Sequence, residues 1–215
     1  MPAGRMFLAA KPKRPVPQNV RRYVRNQVRK EAQDLDTLVS VSAEDAAYNT
    51  ESMNDLTPCS GLIGGARFRL KELDVGYRLQ AQSTTSTVAR VIIFQWFHDD
   101  NTDVPTLEDI LGNTASSESV IDRYDKESVW GHEMKVLYDR VHILGKTSSL
   151  EGNDHAVGKF RIFNSKLPRK YIKGTASGKG TNKIYCLALS NVVAGATAPH
   201  ITIEALAIHE ATQQN

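Results

Sequence analysis

Cysteine is nearly absent from this chain of 215 residues: Cys59 and Cys186 are the only two. Two thiols cannot build a four-cysteine zinc site or a disulfide framework. Long apolar runs are missing as well. The longest, residues 88–97, is broken by Arg90 and Gln95 and falls far short of the ~18 residues of a membrane span. The apolar patch at residues 6–10 is too short for the core of a secretion signal, and Lys11 and Lys13 follow it at once. No Asn-x-Ser/Thr acceptor occurs. These absences lead to the expectation of a soluble, unprocessed protein from a reducing compartment, with no membrane partner.

Glycine (14) and proline (8) are too few for a collagen-like or low-complexity chain, and 40% hydrophobic residues are enough for a core. The length suits one domain, and all-β sandwiches commonly reach this size undivided. Acidic residues are missing where it matters most. Residues 1–30 contain none, yet hold nine cations: Arg5, Lys11, Lys13, Arg14, Arg21, Arg22, Arg25, Arg29 and Lys30. Of 27 basic and 24 acidic residues, 18 and 24 remain for the rest, so a +9 arm precedes a −6 body. Such polarity points to a polyanion partner, a nucleic acid above all, bound by those nine side chains. The alternatives are a targeting peptide or a solvated tail.

Pro2, Pro12, Pro15 and Pro17 keep the first part of the arm extended. The stretch Lys11-Pro12-Lys13-Arg14-Pro15 also resembles a short nuclear-localisation signal. From Gln18 to about Asp34 no Pro or Gly occurs, and Val20, Val24 and Val28 recur at i, i+4, i+8 with Arg21, Arg22, Arg25 and Arg29 mainly on the other flank. That pattern predicts an amphipathic basic helix, with a stripe too narrow to be stable alone. The domain reading is therefore an arm at 1–34, disordered then helical, and a body at 35–215.

The body reads as strands. Residues 67–82 alternate, with Phe68 and Leu70 on one parity and Leu73, Val75, Tyr77 and Leu79 on the other. The slip at Lys71–Glu72 predicts a β-bulge or a change of packing face. Residues 88–97, rich in β-branched and aromatic side chains, predict a strand covered on both faces. Further strands are expected at 132–144, 157–163, 171–172, 183–193 and 200–209, a weaker one from Leu38, and a faint one near 192–198. Thr106 followed by Asp109 is a capping-box pattern that opens one short helix closed by Gly112. Many short strands with almost no long helix predict an antiparallel sandwich or barrel.

Catalytic and cofactor motifs are wanting. Residues 174–181 (GTASGKGT) have one residue too few before Gly-Lys for a phosphate loop, and Gly180 stands where Ser or Thr is needed. His132-Glu133 lacks the second histidine of a zinc helix. His98, Asp99, Asp100 and Asp103 form an oxygen-rich loop of a kind that can hold Ca2+; its alternative is an acidic solvated turn, and no metal ligand is assigned. Cys186, alternating with Ile184 and Ala188, reads as a small buried hydrophobe; Cys59 beside Pro58 reads as a turn residue. His209-Glu210 reads as a surface pair at a strand end. No enzymatic activity and no cofactor are expected.

The segment RVIIFQWFHDDNTDVPTLEDIL (90–111) resembles the coat proteins of the satellite tobacco necrosis virus type: an aromatic-Trp-Phe strand end, a charged pair, a polar loop, Pro-Thr and a short Leu-rich helix. In the same order, FRLKELDVGYRLQA, EMKVLYDRVHIL, KFRIFNSKLPRKYIKG with its Leu-Pro, KIYCLALS and ITIEALAIHE resemble the family's other strands. The capsid proteins of small circular single-stranded DNA viruses are similar. The likeness covers about residues 11–215. It implies an all-β fold, a single jelly-roll sandwich of two four-stranded antiparallel sheets, eight strands with a basic arm. It also implies a viral capsid protein that self-assembles into an icosahedral shell of sixty copies and packages single-stranded DNA or RNA, located in the virion and, before assembly, in the host nucleus. The rival is a cellular single-stranded nucleic-acid-binding β-barrel, which would need aromatic stacking platforms among basic residues on a sheet face. Phe94, Trp96 and Phe97 stand in a run expected to be buried.

Overall fold

A computed structural model describes residues 34–49, 53–58, 67–97, 104–112, 120–125, 128, 133–145, 154–174 and 180–211. The arm and its expected helix up to residue 33, Cys59, the acidic loop 98–103, His132 and residues 175–179 lie outside the described residues.

The elements run β1 (Asp34–Asp45), β2 (Met53–Asp55), β3 (Arg67–Gln80), β4 (Thr87–Trp96), α1 (Leu107–Leu111), β5 (Met134–Leu144), β6 (His155–Phe163), β7 (Tyr171–Gly174), β8 (Gly180–Thr181), β9 (Ile184–Ser190) and β10 (His200–Ala211). One sheet has the order β1-β10-β3-β7-β8 with β6 also paired to β3; the other is β2-β9-β4-β5. Every pairing is antiparallel. β10 occupies one side of β3, so β6 and β7 share the other side end to end, as one interrupted strand. The chain steps between the sheets from β1 to β2 to β3 to β4, and returns from β5 through β6–β7 and β9 to β10. The orders 1-10-3-6 and 2-9-4-5 define an eight-stranded jelly roll. Sheet sizes of six and four replace the expected four and four, because the long strand after β5 is broken into two and β8 pairs with its end.

The core lies between the sheets. Leu73, Val75, Leu79, Ile201 and Ile203 of one meet Val91, Ile93, Ile184, Cys186 and Ala188 of the other. The slip in β3 is a bulge: Ile208 pairs with Glu72 and His209 with Leu70, so Lys71 is passed over. Phe68 and Leu70 thereby share the buried face with Leu73, Val75, Tyr77 and Leu79. Without the extra residue the two parities would face opposite ways.

β4 is buried on both faces because a second apolar layer covers its outer side. Ile92, Phe94, Trp96 and the β9 residues Tyr185, Leu187 and Leu189 lie beneath Leu107, Ile110, Leu111 and Val120. α1 starts at a capping box in which Thr106 and Asp109 cap each other's backbone, and ends where Gly112 takes a left-handed φ of 65° and donates its N–H to Glu108.

Three expectations are corrected. No strand forms near 192–198: the amides of Ala194 and Gly195 donate to Asn49 Oδ1 and Asp45 Oδ2, a turn that uses side-chain acceptors instead of a ladder. The eighth strand is β2, only three residues long, and β1 is a full twelve. His209 is no surface residue: it continues the inward series Ile201, Ile203, Ala205, Ala207 and is fully buried.

Candidate assembly and nucleic-acid surfaces

The most exposed apolar side chains among the described residues are Leu38, Ile121 and Ile143. Leu38 (73% exposed) pairs directly with Leu206 on the outer face of the β1–β10 edge. Ile143 (78% exposed) and Val141 stand on β5, opposite Val88 and Arg90 of β4. Ile121 (77% exposed) belongs to the segment that covers Arg90. That segment is pinned. The Arg90 guanidinium forks onto Asp139 at 2.7 and 2.9 Å and also donates to the carbonyl of Asp122 at 2.7 Å. The Tyr124 hydroxyl donates to Asp139, and its ring lies 5.1 Å from the guanidinium. Burial pushes the Asp139 carboxyl up, but the hydrogen bonds from Arg90 and Tyr124 outweigh it and hold the carboxyl below its ordinary range. β5 is the last strand of its sheet among the described residues. A free edge beside exposed isoleucines is a surface that a second chain can bury.

A different surface forms where β6 gives way to β7. Between them Asn164–Lys166 make one 3-10 turn, Leu167 is buried, and Pro168 follows. The Asn164 amide spans the gap: it donates to the Leu70 carbonyl at 2.6 Å and accepts from Arg69 at 3.2 Å. The Leu70 amide reaches the Lys170 carbonyl at 3.1 Å. Gln95 anchors the other end, donating to the Arg169 carbonyl and accepting from the Arg169 amide. Strand alternation then turns Phe163 and Tyr171 outward, 46% and 45% exposed, in register with Glu72 and Arg69. Lys166, Lys170 and Lys173, near them in sequence, are exposed, and Lys173 shares the alternation of Tyr171. Among the described residues none of the three has a carboxylate within ion-pair distance. Arg161 and Arg69, by contrast, are engaged by Glu72, Asp74 and Glu210.

The nine arm cations expected to bind nucleic acid, Arg5 to Lys30, all lie outside the described residues. The β6–β7 surface was missed by a reading that placed the basic charge in the arm. Its signal is plain in the sequence: residues 155–203 hold no Asp or Glu, and eight Lys or Arg. The averaged −6 of the body conceals that span. Phe94 and Trp96 are buried as expected, so neither is a stacking platform. Among the described residues no group of three His, Cys, Asp or Glu side chains is placed to hold a metal. Burial pushes the Cys186 thiol up to about 12 and keeps it an inert core residue.

The described body is thus a jelly-roll protein with outward apolar and basic surfaces. No protein-family model matches the chain, and no curated protein does. Among solved structures, Turnip yellow mosaic virus gives a TM-score of 0.41 at 9% identity over 100% of this chain and 93% of that one. Cocksfoot mottle virus gives 0.41 at 11% identity over 84% of this chain and 97% of that one. A structure of PNGF-II gives 0.37 at 10% identity over 89% of this chain and 37% of that one. The jelly-roll assignment rests on the strand order rather than on these scores.

Proposed function

We propose that this chain is the coat protein of a small icosahedral virus, whose body forms the shell and whose arm, residues 1–34, packages a single-stranded nucleic acid genome. The observation that carries the reading is the combination of an acid-free stretch of nine cations at residues 1–30 with a jelly-roll body. Either alone is common. Together they separate two tasks: exposed apolar residues and a free edge on the body for contacts between copies, and an excess of positive charge on one tether for phosphate. The detailed likeness to satellite tobacco necrosis virus coats and to small single-stranded DNA virus capsids adds a shell of sixty copies, a virion location and passage through the nucleus to the proposal. A nucleic-acid-binding barrel of the five-stranded kind has a different architecture from two facing sheets ordered 1-10-3-6 and 2-9-4-5.

Electron microscopy of the purified protein tests this. Uniform hollow spheres containing nuclease-protected single-stranded nucleic acid are expected, and Ile143→Glu is expected to leave the β-sheet circular dichroism intact while reducing spheres to small species. A wild-type protein that remains a monomer in all salt conditions overturns the reading.

A further inference from the structure

We propose that the outward surface at the β6–β7 junction is a second binding site for single-stranded nucleic acid, with Phe163 and Tyr171 stacking on bases and Lys166, Lys170 and Lys173 meeting phosphates. The ligand class follows from the mixture. Lysines alone suit any polyanion, and exposed aromatics alone suit any apolar partner. Two aromatic rings nearly half exposed, near three lysines that have no described carboxylate at ion-pair distance, with Glu72 and Asp74 taken up by Arg161 and Glu210 by Arg69, suit a chain that alternates flat bases with phosphates.

The geometry supports two adjacent bases. Phe163 and Tyr171 stand against Glu72 and Arg69 on the same side of β3. Because Lys71 is passed over, those positions are about two ladder steps apart, roughly 7 Å. Consecutive unstacked bases can span that gap. The Arg161 guanidinium lies 5.0 Å from the Phe163 ring, and Glu72 holds the guanidinium in turn. One face of the Phe163 ring therefore carries a guanidinium held by Glu72, while the Asn164 bridge fixes the turn between the two aromatics. A site carried on a rigid strand loses little entropy on binding.

The site would be sequence-tolerant, since every base offers a flat face and lysine on phosphate reads no base edge. It deepens the packaging reading and borrows from it only the identity of the natural ligand. The arm would supply long-range capture, and this surface a fixed place where the strand touches the body.

The test uses full-length protein and single-stranded oligonucleotides. With a 5-iodouracil-substituted oligonucleotide, ultraviolet cross-links mapped by mass spectrometry are expected at Tyr171 or Phe163. With oligo(dT), Lys166→Ala/Lys170→Ala/Lys173→Ala is expected to lower the slope of log affinity against log salt by about 2, at ~0.7 per single-strand phosphate. Phe163→Leu/Tyr171→Leu should weaken binding roughly tenfold or more with the slope unchanged. Arg21→Ala/Arg22→Ala/Arg25→Ala/Arg29→Ala, made in parallel, reports on the arm alone. If the arm variant loses affinity while cross-links avoid both aromatics and the double-Leu variant binds normally, this site is refuted and the packaging reading survives. If polyglutamate displaces oligo(dT) equally well from the arm variant, the surface is a general acidic-peptide site and the proposal falls. If cross-links form at Tyr171 but purified particles never contain nucleic acid, the site stands and the packaging reading falls.

Discussion

Tyr77 closes one side of the sandwich. Its ring leaves β3, lies over Gly158 of β6, and reaches β5, where its hydroxyl bonds both the Tyr138 hydroxyl and His142 Nε2 at 2.8 Å. A Cβ on Gly158 would stand 2.0 Å from the Tyr77 Cζ. The glycine is there for close approach, and Gly158→Ala should cost roughly 1–3 kcal/mol through overpacking, read as a lower urea midpoint. His209 is the other residue whose neighbourhood decides its behaviour. Among the described residues neither ring nitrogen has a hydrogen-bond partner, and the ring meets Phe68 edge-on. Burial pulls its pKa below the ordinary histidine value, against a weaker upward pull from Asp55 and Asp36. The unfolded chain therefore binds a proton that the folded chain refuses. Stability is complete above about pH 6.5 and falls as the pH drops below it. His142, also lowered chiefly by burial, adds to the same slope. His209→Leu should flatten the loss of stability between about pH 6.5 and 5, measured as urea midpoints at both ends.

At the scale of elements, the bulge in β3 has the largest consequence. One passed-over residue lets Phe68, Leu70, Leu73 and Val75 face the same core, and it sits beside the break between β6 and β7. Deleting Lys71 should turn one half of β3 inside out and abolish cooperative folding. Lys71→Ala, which keeps the count, should move stability by less than about 1 kcal/mol. Comparing the two thermal melts separates the role of the backbone from that of the side chain; equal melts would remove the bulge from this account. The covered outer face of β4 depends on a different device. α1 and the segment pinned by Arg90 roof Ile92, Phe94 and Trp96, so the strand with the most apolar sequence is an interior strand on both sides.

For the molecule as a whole, charge is divided along the chain. Residues 1–30 hold nine cations and no acid, so in the proposed shell sixty copies would bring about 540 positive charges to one cavity, enough to balance on the order of 500 nucleotides. Binding through such arms would be driven by counterion release and indifferent to sequence. Replacing Arg21, Arg22, Arg25 and Arg29 by Ala should lower the salt slope of single-strand binding by about 3 and shorten the packaged nucleic acid, with β-sheet circular dichroism unchanged. A normal cargo length in that variant would separate the arm from packaging.

Much of this was legible from the amino-acid order alone. Alternation identified β3 and its slip, apolar continuity identified the doubly covered β4, and Thr106 with Asp109 identified the start of α1, because each of these signals is local and repeats at the period of the element that makes it. The arm's charge is equally local. What the sequence left open is what depends on partners distant along the chain. His209 ends a strand in sequence, yet Leu70 opposite it and the continued inward alternation of β10 bury it. Residues 192–198 look fit for a strand, but Asn49 and Asp45, 145 and 150 residues earlier, take the amides of Ala194 and Gly195 and make a turn. Phe163 and Tyr171 are ordinary strand aromatics until both pair along one side of β3, which turns them outward on the same face. Local periodicity specifies which face a side chain takes within its own element; only the packing of elements decides whether that face meets a core, a second layer or water.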